Sequence, residues 1–268
     1  MTNVFVSVDQ VETPARFIDV RFNLMDKNEG QAQYEKEHIA GAVYFDLERD
    51  LSDMSKKDGR HPMPEKAQLI NLFESAGLQL TDVIYVYDQG GAPFAPRAWW
   101  MLKYAGFENV SIVNGGYDAL KKAGYATTSN KESFDRSTIT ANWQENTYAD
   151  RDYVKAITEG KVDAMLLDAR AAIRYRGEQE PLDPVAGHIP TAKNFDWEQV
   201  KDGNQLVVTE TLRNAVASHK EVVVYCGSGV TASPLYTVLK EAGHENVKLY
   251  VGSYSDWITK YEVATGEE

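Results

Sequence analysis

The feature that most constrains the fold of this chain is that its motifs occur twice, in the same order. Phe17-Ile-Asp-Val-Arg21 returns as Leu166-Leu-Asp-Ala-Arg170, and His38-Ile-Ala-Gly-Ala42 returns as His188-Ile-Pro-Thr-Ala192. Phe45-Asp46 is matched by Phe195-Asp196, and Val83-Ile-Tyr-Val-Tyr-Asp88 by Glu221-Val-Val-Val-Tyr-Cys226. Ala105-Gly-Phe-Glu-Asn-Val110 reappears as Ala242-Gly-His-Glu-Asn-Val247, and Gly115-Gly-Tyr117 as Gly252-Ser-Tyr254. Ordered matches at a nearly constant, long offset mean two copies of one unit; a solenoid needs a shorter period and more copies. A chain of 268 residues is long enough for two such domains.

Within each copy, short apolar runs alternate with helix-compatible segments. In the first, residues 17–20, 83–87 and 110–113 read as strands, and 65–76 and 96–105 as helices. In the second, 165–167, 222–225 and 247–250 are strand-like, with helices expected near 210–218 and 233–242. Trp99 and Trp100, at helical spacing with Met101 and Leu102, are expected in the core. This alternation predicts an α/β fold in which each copy is a mostly parallel sheet covered by helices on both faces. Residues 127–146 are polar and lose the periodicity, so domains are expected at 1–126 and 147–268, with a linker between them.

Composition narrows the class. Hydrophobic residues make up 43% and charged residues 25% of the chain, which supports a packed core. A formal net charge of −12 argues against nucleic acid and against anionic membranes as partners. A single cysteine excludes an internal disulfide and suits a reducing compartment. The N-terminal stretch has no basic segment followed by an apolar run, and no stretch approaches the length of a membrane span. A soluble, cytoplasmic protein is expected.

That cysteine, Cys226, lies where a buried-type strand runs into Cys226-Gly-Ser-Gly-Val-Thr231 and then into a helix. Strand, glycine-bearing loop and helix N-terminus in that order form a cradle of backbone N–H groups that favours negative charge, here on sulfur. A lone cysteine at a strand end can equally be a small buried hydrophobe. The Gly-Ser-Gly run tips the reading toward a nucleophile, because it weakens a strand or helix unless the backbone has to close on something.

The repeat serves as an internal control, since a residue needed only for the fold should appear in both copies. Asp19/Asp168, Arg21/Arg170 and His38/His188 do, so His188 is read as a buried, hydrogen-bonded structural group. Cys226 faces Asp88, whose loop (89–96) reads as one residue longer than its counterpart, so the first copy lacks the reactive sulfur. Arg174 faces Met25. An arginine found only beside the cysteine is a candidate for holding a substrate anion, or else a solvated surface residue. Arg176 is a weaker candidate of the same kind.

Taken together, the doubled Asp-x-Arg and His-Ile motifs, Asn114-Gly-Gly-Tyr117, Ala95-Pro-Arg-Ala-Trp-Trp100 and Cys226-Gly-Ser-Gly-Val-Thr231 resemble the tandem-domain rhodanese-type sulfurtransferases over nearly the whole chain. The resemblance implies an inactive first domain, an active second domain and a site in the cleft between them. It implies that Cys226 takes sulfur from a small-molecule donor, becomes a persulfide, and passes the sulfur to cyanide, a thiol, thioredoxin or a sulfur-carrier protein. No metal or organic cofactor is implied. Chemically, a thiolate attacks a sulfur bearing a good leaving group, and the loop amides of Gly227, Gly229, Val230 and Thr231 hold the anion that forms.

In this family, Cys-Gly-Ser-Gly-Val-Thr marks the type that uses 3-mercaptopyruvate, whereas bulky cationic residues after the cysteine mark the thiosulfate type. The resemblance also implies a proton-transfer triad of Glu48, His61 and Ser228, from Phe45-Asp-Leu-Glu48 and Arg60-His-Pro-Met-Pro64. On its own, His61 in a Gly/Pro/Lys-rich loop reads as a surface residue. Arg174 matches one of two arginines expected to hold the keto-acid carboxylate. The second falls at Asp183, in Pro181-Leu-Asp-Pro184, which leaves thiosulfate as the alternative donor. A cysteine phosphatase would need Cys-x5-Arg, and that position is Ala232. A non-catalytic binding or sulfur-carrier module leaves the Gly-Ser-Gly run unexplained.

Overall fold

The computed structural model describes residues 3–267. The chain forms two compact units: Met1–Asp53 with Pro64–Gln144 and Asp202–Leu206, and Met54–Met63 with Glu145–Lys201 and Val207–Glu268. A ten-residue segment of the first half thus belongs to the second unit, and a hairpin tip of the second half belongs to the first. In the first unit that tip is held by Asn114, which donates to the Leu206 carbonyl and accepts from the Leu206 N–H, both at 2.9 Å.

Each unit is built on a five-stranded sheet of one topology. The first runs Phe5–Val6, Val110–Val113, Ile84–Tyr87, Arg16–Asp19, Ala42–Tyr44, and every neighbouring pair is parallel. The second runs Tyr148–Ala149, Val247–Tyr250, Val222–Tyr225, Met165–Asp168, Lys193–Asn194, again all parallel. Register is conserved between them: Asp19 pairs with Tyr87, and Asp168 with Tyr225. The central strands are buried on both faces, as a continuous apolar run in a helix-covered parallel sheet requires. The expected strands and helices are present, with ends shifted by a residue or two. Phe5–Val6, Tyr148–Ala149 and the helices Glu29–Lys36 and Arg151–Thr158 are additional elements. Phe5–Val6 and Tyr148–Ala149 are edge strands only two residues long, too short to show a period. Trp99 and Trp100 are buried in the helix Phe94–Ala105.

The doubled polar motifs are structural twins. Arg21 and Arg170 each clamp the aspartate two residues earlier, at 2.6 and 2.7 Å, and each donates to a backbone carbonyl (Glu37 or Gly187) at 2.7 Å. Each guanidinium also lies over a tyrosine ring, Tyr117 at 4.0 Å or Tyr254 at 3.9 Å. His38 and His188 are fully buried, stack on Tyr34 and Tyr175 at 3.8 Å, and meet those residues' carbonyls at 2.6 and 2.8 Å through Nδ1. A group whose surroundings are the same in both units is holding the fold together. Among the described residues, no helix is long and apolar enough to cross a membrane.

Candidate active site

The strand Val222–Tyr225 lies in the middle of its sheet, and Cys226 follows it at the C-terminal edge, where open parallel sheets collect their ligand-binding loops. The helix Ala232–Glu241 begins six residues after Cys226, and Phe94–Ala105 begins six residues after Asp88. The two loops therefore have equal length, correcting the expected one-residue difference. Pro96 and Pro234 both lie in the first turn of their helices, where a missing N–H is tolerated.

The two glycines flanking Ser228 act differently. Gly229 has φ +74°, and a Cβ there would collide with the Val251 carbonyl oxygen. Only glycine can make this turn at that distance, and the turn brings the Gly229 N–H to 3.1 Å from the Cys226 sulfur. Gly227 is not in the left-handed region, but a Cβ on it would collide with Arg60 Nη2 and lie 3.4 Å from Arg174 Nη2. Its bare face is where two guanidinium groups close on the residue after Cys226.

The loop is braced by the turn after the neighbouring strand. The N–H groups of Tyr254 and Ser255 donate to the carbonyls of Cys226 and Gly227, both at 2.9 Å. Cys226 N–H donates to Ser253 Oγ at 3.1 Å, and that hydroxyl donates to the Tyr250 carbonyl at 2.8 Å. Ser253 Oγ is also 4.0 Å from the sulfur. Ser253 has φ +56°, a left-handed conformation that a side chain disfavours, and its counterpart Gly116 has φ +66°. The cysteine-bearing unit thus accepts strain to place a hydroxyl where the other unit has none.

The segment Met54–Met63 completes the site. His61 is 8% exposed, and its Nδ1 lies 2.8 Å from Ser228 Oγ. Arg60 Nε and Nη2 grip both oxygens of Asp183 at 2.9 and 3.1 Å. Arg174 Nη2 donates to the same carboxylate at 3.2 Å and to Glu180 at 2.7 Å, while Arg170 Nη1 reaches Glu180 at 3.2 Å. Burial works to raise the Glu180 carboxyl, but its bonds to Arg174 and the Leu182 N–H outweigh that and hold it below its usual value. Cys226 itself is fully buried, whereas the side chains of Arg174 and Arg60 are 17% and 31% exposed. The sulfur is the floor of the site, and the guanidinium groups are its rim.

Of the residues expected from sequence, Cys226, Gly227, Ser228, Gly229, His61 and Arg174 meet here. Val230 is buried within the loop, and Thr231 directly precedes the helix. Glu48, the expected third member of the triad, pairs with Lys27 at 2.9 Å within its own unit. Arg176 is engaged by Glu178 at 2.6 Å. Sequence reasoning missed Arg60 and Ser253. Arg60 had only its adjacency to His61 to betray it, and Ser253 only the Gly-to-Ser difference between the two copies.

In the first unit the equivalent cradle is filled by the protein itself. Asp88 Oδ1 accepts the Gly90 N–H at 2.8 Å and Oδ2 the Ala95 N–H at 3.0 Å. The Tyr117 N–H donates to the Asp88 carbonyl at 2.8 Å, as Tyr254 does to Cys226. A side-chain carboxylate therefore takes up amides of its own loop and helix start in this unit, where the other unit sets the Gly229 N–H against sulfur.

Comparison with known proteins places this geometry in a family. The model of the rhodanese-like domain matches residues 8–123 and again 150–260. A probable 3-mercaptopyruvate sulfurtransferase of Pseudomonas aeruginosa is 39% identical, covering 93% of this chain and 92% of that protein. A putative thiosulfate sulfurtransferase, SseB of Mycobacterium tuberculosis, is 35% identical over 92% of this chain and 89% of its own. The crystal structure of SseA from Escherichia coli, described as a 3-mercaptopyruvate sulfotransferase, superposes with a TM-score of 0.79 at 30% identity, covering 95% of this chain and all of that one. Two matched domains and relatives of this identity and coverage establish that the chain belongs to the rhodanese family, with one rhodanese-like domain in each half.

Proposed function

We propose that this protein is a sulfurtransferase that takes sulfur from 3-mercaptopyruvate onto Cys226 and passes it, as a persulfide, to a thiol or to cyanide. The observation that carries the donor assignment is the 2.8 Å hydrogen bond between His61 and Ser228, two residues past the nucleophile. The Cys226 thiolate attacks the donor sulfur, and the carbon–sulfur bond breaks. The electron pair of that bond goes to the donor's methylene carbon as the enolate of pyruvate. The enolate needs a proton, which the donor thiol gives up and the His61–Ser228 pair relays. The persulfide anion stays against the Gly229 N–H, and the acceptor then attacks its outer sulfur and restores the thiolate.

Arg60 and Arg174 fit the donor carboxylate, because planar guanidinium groups recognise carboxylates through paired hydrogen bonds. The arginine missing at position 183 is thus replaced from another part of the chain. Thiosulfate is the second reading, favoured by the name of the Mycobacterium relative. Its leaving group, sulfite, needs no proton. The acceptors in this reading include small thiols, thioredoxin and a sulfur-carrier protein, in a reducing, cytoplasmic setting. Intact-mass spectrometry tests the proposal: incubation with 3-mercaptopyruvate adds one sulfur atom to the wild type and none to Cys226→Ser. Absence of that gain with both donors would overturn it.

A further inference from the structure

We propose that Asp183 sets donor selectivity by tuning the charge of the donor site to a monoanion. This rests on the sulfurtransferase reading above and adds a residue that discriminates between the two donor classes. The Asp183 side chain is 2% exposed and is shared by both guanidinium groups of the rim, Arg60 at 2.9 Å and Arg174 at 3.2 Å. It is one link in an unbroken chain of alternating charge: Asp168, Arg170, Glu180, Arg174, Asp183, Arg60. Three cations and three anions cancel. Only Arg60, at the end of the chain, is paired with a single acid in it, and Arg60 is also the more exposed of the two rim cations.

A donor arriving at this rim meets a site with no surplus positive charge. A keto-acid carboxylate brings one negative charge and can share the free edge of Arg60 and of Arg174. A thiosulfate dianion brings two, within a few ångströms of a buried carboxylate that cannot move away. Repulsion between like charges in a partly desolvated site is strong, and it is a standard way of rejecting a competing ligand. Asp183 also orients the guanidinium groups, because its two oxygens fix the plane of Arg60. The residue that breaks the expected pair of arginines is then a filter acting on Arg60, not a defect in the clamp.

The test compares kcat/KM for thiosulfate and for 3-mercaptopyruvate in the wild type, Asp183→Asn and Asp183→Glu. Removing the charge in Asp183→Asn raises the thiosulfate-to-mercaptopyruvate ratio about tenfold, mainly through a lower thiosulfate KM. Asp183→Glu keeps the charge and keeps the ratio within about threefold of the wild type. Asp183→Ser makes the same charge change with a smaller side chain and is the arm to read if Asp183→Asn does not fold. An unchanged ratio in the neutral variants, or a shift toward mercaptopyruvate, overturns the proposal while leaving the sulfurtransferase reading intact. Failure of the wild type to gain sulfur from either donor overturns that reading, and this proposal with it.

Discussion

His61 Nδ1 and Ser228 Oγ lie 2.8 Å apart although 167 residues separate them in the chain. The pair exists because Met54–Met63 is built into the same compact unit as the cysteine loop. In the proposed mechanism the pair relays a proton, which matters only to a donor whose leaving group must be protonated, and that gives the pair a signature of its own.

Replacing His61 by Asn, or Ser228 by Ala, should lower kcat with 3-mercaptopyruvate by about 10²–10⁴-fold, the usual contribution of a positioned acid or base. Turnover with thiosulfate should fall far less, since sulfite leaves without a proton. Steady-state kinetics with both donors checks this, and an equal loss with each would remove the relay from the mechanism.

Arg60→Gln should raise the KM for 3-mercaptopyruvate by about 10- to 100-fold and leave kcat less affected, the pattern of a lost binding contact. Arg174→Gln should behave alike, and the two effects should not add, because both side chains share Asp183. A wild-type KM in Arg60→Gln would place the carboxylate elsewhere.

Ser253→Gly should relieve the backbone strain, because glycine suits φ +56° and Gly116 holds the equivalent position. It leaves the Cys226 N–H without its hydroxyl acceptor, and kcat/KM should fall about tenfold, the effect of one buried hydrogen bond. Ser253→Val, by contrast, should lower the melting temperature, since a β-branched residue at positive φ is strongly disfavoured.

Asp88 predicts a pH dependence of stability in the first unit. Burial pushes its carboxyl up to about 6, against the bonds from Ala95 and Gly90 N–H groups that lower it. The native state therefore holds the proton more tightly than the unfolded chain. This stabilising contribution is complete below pH 3.8 and is lost as the pH rises through 6. The loss amounts to about 3 kcal/mol at most. Melting curves between pH 4 and 7.5 should show the first unit weakening across that window. Asp88→Asn, which cannot ionise, should flatten the dependence, and a slope unchanged by it would sink the assignment.

The repeat, read from sequence alone, determined two α/β units, and the apolar runs at 83–87 and 222–225 marked their central strands. The comparison of copies also separated Asp168, Arg170 and His188, which recur, from Cys226, which does not. These features were legible because hydrophobic periodicity and chain-local motifs record which residues must be buried. Tertiary structure alone decided that Arg60 joins Arg174 on the Asp183 carboxylate. It also decided that residues 54–63 join the unit of Cys226, and that Ser253 bears strain beneath the sulfur. The Arg60–Asp183 and His61–Ser228 contacts join positions more than a hundred residues apart, and the Ser253 conformation turns on a single backbone angle. Charge and hydrogen-bond partners are chosen in space, and no local pattern encodes them.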